Sequence, residues 1–301
     1  MKKLLRHDSF KAIAMALASF FLFAIVDVFA KWMGQHYAVP VVLLCCGVAG
    51  LAMVVPYILW RKGWRGFIPR RPLRLHIARA VQTTINGYLI VTALQYVPLA
   101  DFYGIVFSTP FITAIASVIF FGERVGWHRW GAIALGFFGI WVIVAPSYHE
   151  FNIGTAAALC VPFTLAANAV FLRKIGRDEY PALFPFYSFL GILALNGPLT
   201  FMMDAPLPAV QDLWLFIPYA AAVVFAIVML GRAYAIAPLA ATVAPLQYTS
   251  MLWGCLFGSF VFDDHVTWNT WAGAAVIVVA GLYLLHRERI HARSLVLQTA
   301  N

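Results

Sequence analysis

The chain has 301 residues, of which 63% are hydrophobic and only 11% charged. So apolar a composition excludes an ordinary water-soluble fold, and the alternating pattern of a membrane barrel is absent. Helices that satisfy their own backbone in lipid are the class that remains.

Ten apolar runs are each long enough to cross a bilayer: 12–33, 39–60, 75–95, 99–121, 127–145, 153–172, 182–202, 212–231, 239–262 and 269–285. The first follows Lys2, Lys3 and Arg6 and imitates a secretory signal. It reads as an uncleaved span, because it outruns the usual apolar stretch, contains Asp27, and leads into no exported domain. The loops are short and leave no soluble domain. The net charge of +9 raises nucleic acid or lipid headgroups as partners. Its distribution argues for topology instead. Of 21 Lys and Arg, 20 lie in the two tails and the even-numbered connections, and only Lys31 lies on the opposite side. That asymmetry predicts both termini in the cytoplasm. Trp residues near span ends (Trp32, Trp60, Trp64, Trp127, Trp130, Trp268 and Trp271) read as interface anchors.

Polar residues within spans are costly in lipid, so each needs a partner, a wet cavity or a role. In span 1, Asp27 is the only acid well inside a run. It can bind a cationic group or carry a proton, or it can pair with Lys31 one helical turn away. Span 3 carries Gln82, Thr83, Asn86 and Tyr88, with Gln82 and Asn86 on one face. A face this polar points inward and suits a water-lined cavity. Span 4 opens on Asp101, whose place in a first turn suits the helix dipole. It continues with Tyr103, Phe107, Ser108, Thr109 and Pro110. Glu123 at its far end reads as an interfacial packing or gate residue. Span 6 holds Asn168, either a site residue or helix–helix glue. Span 9 holds Pro245, Gln247, Tyr248, Thr249 and Trp253. A proline there frees a backbone carbonyl and permits a bend.

Cys45, Cys46, Cys160 and Cys255 all fall inside spans without metal-ligand spacing and read as small apolar residues. No phosphate-binding loop, zinc-helix motif or nucleophile elbow is present. No metal or cofactor is expected, and an enzymatic role is not.

The chain repeats itself. Residues 93–100 read ALQYVPLA, and 233–240 read AYAIAPLA, 140 positions later. Thr109 then falls on Thr249, and Phe120 on Phe260. With one more residue of offset, Trp127 and Trp130 fall on Trp268 and Trp271, and Asp27 falls on Asn168. The repeat is therefore five spans, 1–150 and 151–301. An odd count forces the second copy to enter the membrane from the other side, giving a 5+5 inverted repeat. Where the first copy has Gly122 and Glu123, the second has Asp263 and Asp264.

Residues 122–146, GERVGWHRWGAIALGFFGIWVIVAP, and 232–262, RAYAIAPLAATVAPLQYTSMLWGCLFGSFVF, resemble matching segments of the drug/metabolite transporter superfamily. The chain is most similar to its EamA-type ten-helix members, and APLQYTSMLWG to the solute carrier 35G-like branch. The resemblance covers nearly the whole chain. It implies alternating access through a central cavity, with spans 5 and 10 peripheral.

The expected protein is an all-α, multi-pass inner-membrane transporter, a monomer or homodimer in the lipid bilayer, with no nucleic-acid partner. It moves a small polar or amphipathic metabolite, an amino acid or a derivative such as S-adenosylmethionine, driven by protons or exchange. An aromatic heterocycle such as riboflavin, or a nucleoside-like compound, is the alternative cargo. The candidate cargo contacts are Asp27, Gln82, Asn86, Tyr103, Ser108, Asn168, Gln247, Tyr248 and Trp253. A lipid-modifying membrane enzyme would need a cluster of acids, His or Ser at one face, and a channel would need rings of carbonyls or charges. Neither pattern is evident.

Overall fold

The computed structural model describes residues 2–122, 127–144, 151–175, 179–236 and 243–299. Among these residues every regular element is helical and no strand occurs. In chain order the helices are α1 (Lys2–His36), α2 (Val39–Lys62), α3 (Leu73–Tyr96), α4 (Leu99–Val106), α5 (Thr109–Phe121), α6 (Trp127–Val144) and α7 (Ile153–Ile175). They continue with α8 (Leu183–Met202), α9 (Val210–Leu213), α10 (Phe216–Ile236), α11 (Thr249–Phe262) and α12 (Trp268–Thr299). Short 3-10 turns stand at Trp64–Phe67 and Ala244–Tyr248. Pro238, within the second repeated string 233–240, lies outside the described residues, as do Glu123 and the side chain of Pro245.

Six stretches are long and apolar enough to cross a membrane: Phe10–His36, Val39–Lys62, Leu99–Phe121, Ile153–Ile175, Leu183–Met202 and Val210–Tyr234. Trp130–Val144 and Trp268–Tyr283 are shorter apolar helices. Many large apolar side chains, among them Ile119, Phe201 and Phe260, point away from the protein interior. Exposed rings and aliphatic chains on this scale suit hydrocarbon surroundings.

The expected single helix over 99–121 is interrupted. It stops at Val106, turns through Phe107 and Ser108, and restarts at Thr109. Pro110 is the cause: it has no N–H to offer the Val106 carbonyl four residues back. The run expected over 239–262 is likewise not one helix, because the 3-10 turn Ala244–Tyr248 precedes α11.

The chain forms two compact units. Unit 1 comprises Met1–Ala24, Pro98–Phe151 and Phe225–Asn301; unit 2 comprises Ile25–Val97 and Asn152–Val224. Each unit therefore draws on both halves of the sequence.

In unit 1, α6 packs along α12. The helices approach closely at Gly139 and Gly273, where a Cβ on either would lie within 3 Å of the other's carbonyl oxygen (2.9 and 2.6 Å). Small residues permit such contact between lipid-embedded helices. α5 ends on Gly122 in the left-handed conformation (φ 66°), and α11 ends on Asp263 in the same conformation (φ 53°). These are matched positions in the repeat. Asp is among the few residues with a Cβ that visit this region.

In unit 2, α3 packs on α7 and α8, and α2 packs on α8. Phe189 of α8 fills the space left by Gly50 of α2, where a Cβ would lie 2.6 Å from its ring. Around this contact Met33, Val42, Cys46, Leu183 and Ile192 form the buried core.

Candidate functional site

The α3–α7 seam of unit 2 gathers three of the candidate residues. The Gln82 amide donates from Nε2 to the Thr164 carbonyl at 2.9 Å. The Thr164 hydroxyl donates to Asn86 Oδ1 at 2.5 Å. Asn168, one turn farther along α7, accepts at Oδ1 from Arg79 Nε at 3.1 Å. The seam is thus a polar ladder joining two helices. One rung is incomplete: Gln82 Oε1 is buried and has no partner among the described residues.

Arg79 was legible in the sequence only as one of several basic residues near the second connection. It lies inside α3, the seventh residue from Leu73. Its Nη1 donates to the Phe184 carbonyl and to Ser188 Oγ, both at 2.9 Å, and its guanidinium carbon sits 5.2 Å from the centre of the Phe184 ring. The signal was available in the spacing. Positions 79, 82, 83 and 86 share one helix face.

Asp27 lies on α1 and is partly buried. The Tyr219 phenol of α10 is a neighbour of Asp27 and of Cys46 of α2. Lys31, 4% exposed, donates to the Val97 carbonyl at 3.4 Å, at the end of α3. The α3–α8 contact adds a second polar pair, in which Tyr88 meets the buried Asn196. The Tyr88 hydroxyl donates to Asn196 Oδ1 at 2.6 Å, and Asn196 Nδ2 donates to the Ile192 carbonyl at 2.8 Å.

Unit 1 gathers the other candidates around aromatic rings. Tyr103 stacks with Phe107 at 6.4 Å, and Phe107 meets Tyr248 edge-on at 5.0 Å. Tyr103 also lies against Gly254, which leaves room for its ring. Trp253 meets Phe21 edge-on at 4.9 Å. The Tyr248 hydroxyl and Trp253 Nε1 are buried without a partner at hydrogen-bonding geometry among the described residues. Gln247 is the polar neighbour close enough to act on the phenol. Ser108 is committed locally: it is 1% exposed and donates to the Ile105 carbonyl at 2.7 Å. It fastens the helix break.

Two acids that the sequence assigns to helix ends have partners in unit 1. Asp101 is buried and accepts a hydrogen bond from the Thr270 hydroxyl. The Leu99 N–H at the start of α4 is capped by the Asp264 carboxylate, at 3.0 Å.

Unit 2 also contains a buried carboxylate in a loop. Glu179 accepts from the backbone N–H groups of Arg70, Arg71 and Tyr180 at 3.0–3.2 Å, and its Oε2 lies 3.2 Å from His76 Nε2. Burial by itself would raise this carboxyl. The three backbone donors and His76 outweigh burial and hold it below its ordinary value. Glu179 so ties the α2–α3 loop to the α7–α8 loop. Among the described residues, no group of three His, Cys, Asp or Glu side chains is placed to hold a metal ion.

The chain matches the EamA-like transporter family twice, over residues 10–145 and 152–286. It belongs to that family. It is similar to a riboflavin transporter of Vibrio cholerae, 26% identical over 94% of this chain and 96% of that protein. It is similar to an S-adenosylmethionine uptake transporter of Rickettsia prowazekii, 22% identical over 88% of this chain and 89% of that protein. It is similar to mouse solute carrier family 35 member G1, 28% identical over 87% of this chain and 74% of that protein. A solved crystal structure shares the fold with a TM-score of 0.62 at 16% identity, covering 94% of this chain and 98% of that one. This EamA protein is a multi-pass inner-membrane protein of the drug/metabolite transporter superfamily, as the resemblance implied.

Proposed function

We propose that this EamA protein is a secondary active transporter that moves a small polar or amphipathic metabolite by alternating access, driven by protons or exchange. The observation that carries this reading is the double family match, one copy in each half of the chain. Two copies of one unit supply two gates for one cargo. In the proposed topology ten spans form an inverted 5+5 repeat, 1–150 and 151–301, with both termini cytoplasmic. The one-sided distribution of Lys and Arg supports it.

The proposed cargo contacts of unit 2 are Asp27, Gln82, Asn86 and Asn168. Those of unit 1 are Tyr103, Ser108, Gln247, Tyr248 and Trp253. Asp27 is the proposed proton or cation site, supported by its partial burial and by the neighbouring Tyr219 phenol. An amino-acid derivative such as S-adenosylmethionine suits the amides of unit 2. A flavin-like heterocycle is the second reading, supported by the Tyr103, Phe107, Tyr248 and Trp253 rings, with the Tyr248 hydroxyl and Trp253 Nε1 buried without a partner at hydrogen-bonding geometry among the described residues.

The test is uptake of radiolabelled S-adenosylmethionine and riboflavin into proteoliposomes, with and without an imposed pH gradient. Asp27→Asn is expected to abolish the response to the gradient. Wild-type protein that moves neither compound would remove both cargo readings. Unchanged gradient dependence in Asp27→Asn would remove the proton role.

A further inference from the structure

We propose that Arg79 receives an oxyanion of the cargo, the carboxylate of an amino-acid moiety in the first instance. The inference rests on the transport reading above and names a substrate class for it.

A guanidinium carries five N–H donors and never loses its charge in a protein. At Arg79 three donors are engaged: Nε with Asn168, and Nη1 with Phe184 and Ser188. All three acceptors are neutral. The two N–H groups of Nη2 have no acceptor among the described residues, and no carboxylate there lies at ion-pairing distance from Arg79. A cation inside a helix of a membrane protein, without a counter-charge, is costly to keep. Were Arg79 only a brace between α3, α7 and α8, a neutral Gln could serve two of those three acceptors without burying a charge.

The geometry fits a receptor better than a brace. Three hydrogen bonds and the Phe184 ring fix the guanidinium plane before any ligand arrives, so little ordering remains to oppose binding. The free edge is then presented in one direction. Three residues along the same face stands Gln82, whose buried Oε1 lacks a donor. An amino-acid end has the complementary pair: a carboxylate for Arg79, and an ammonium to donate to Gln82. A phosphate would satisfy Arg79 and leave Gln82 Oε1 unmatched.

The experiment compares cargo pairs that differ in the anion, using full-length protein in nanodiscs. One pair is S-adenosylmethionine and its decarboxylated form; the other is FMN and riboflavin. Dissociation constants are measured for wild type, Arg79→Gln, Arg79→Lys and Asn168→Ala. A charge-assisted hydrogen bond of ordinary strength makes the carboxylate-bearing member bind about tenfold tighter, or more, to wild type. That ratio falls to near one in Arg79→Gln and to intermediate values in the other two variants. A larger ratio in the FMN pair would assign the site to phosphate. A ratio near one in both wild-type pairs, or one unchanged in Arg79→Gln, overturns the proposal.

A cargo-independent arm measures thermal stability in acetate or inorganic phosphate against equal chloride. Stabilisation in wild type that is lost in Arg79→Gln supports the anion site even where no organic probe binds. Its absence, with no organic probe bound, overturns the site. Failure of the transport reading looks different: none of the four compounds enters proteoliposomes, whatever acetate does to stability.

Discussion

Thr109 and Thr249, 140 positions apart, make the same bond: each hydroxyl donates to the carbonyl three residues back, Val106 and Leu246, at 2.6 Å in both cases. Each stands at the first position of a helix that follows a break. In the first copy Pro110 leaves the Val106 carbonyl without its helical donor, and the threonine takes it over. The second copy keeps the hydroxyl bond although Ser250 stands where the first has proline. The bond is thus a shared feature of the break.

Replacing either threonine by valine keeps the branched shape and deletes the donor. Each variant is expected to lower stability by about 0.5–1.5 kcal/mol. Thermal unfolding in detergent measures it. Two variants as stable as wild type would mean that the hydroxyls merely accompany the break.

The two acids after α11 differ in role. Asp263 supplies a left-handed turn, whereas Asp264 caps Leu99. Asp264→Ala is therefore expected to cost about 1–2 kcal/mol. Asp263→Gly restores the residue of the first copy and is expected to be neutral or stabilising, within about 1 kcal/mol. Reversed rankings in a thermal melt would refute this division.

Gly281 of α12 faces the Tyr248 hydroxyl so closely that a Cβ there would overlap it. Gly281→Ala is expected to cost about 1–3 kcal/mol by overpacking. Adding Tyr248→Phe removes the overlapping atom and should recover part of that loss. A double-mutant cycle reads the coupling. Tyr248→Phe alone should be neutral or stabilising, since the buried hydroxyl it removes has no partner at hydrogen-bonding geometry among the described residues.

Glu179 gives the protein an acid limb. Its carboxyl is held below the ordinary value in the folded state. The stability this contributes is complete above the unfolded carboxyl value, near pH 4.5. It is lost as pH falls through the lower folded value. Glu179→Gln places an N–H donor among backbone donors and is expected to cost about 1–3 kcal/mol at neutral pH. Its stability should then change less than that of wild type between pH 6 and the acid range. An equally steep acid decline in the variant would move the effect to another group.

Much of the helical architecture is legible because apolar runs of span length carry their own signal, and the repeat adds a register that pairs Thr109 with Thr249. The break at Phe107–Ser108 was legible only as a proline near hydroxyls. Arg79 was hidden by its company, since six other basic residues of the same connection carry the topological signal. Glu179 sits in a loop, where only the fold brings it to His76 and the Arg70 and Arg71 amides. Gln82 and Asn86 were legible as an inward polar face. That Thr164 would answer both depends on how α7 lies against α3, which spacing along one chain does not encode.

The composition of the two compact units sets an order of assembly during synthesis. Unit 2 has all its residues once Val224 has been made, whereas unit 1 also draws on Phe225–Asn301. Neither can close after the first half alone. A ribosome that stalls near residue 150 leaves helices whose partners do not yet exist, among them α3 with Gln82, Asn86 and Arg79 turned toward lipid or translocon. Until α7 and α8 are made, the polar side chains of α3 lack the acceptors and donors that they meet in the folded chain.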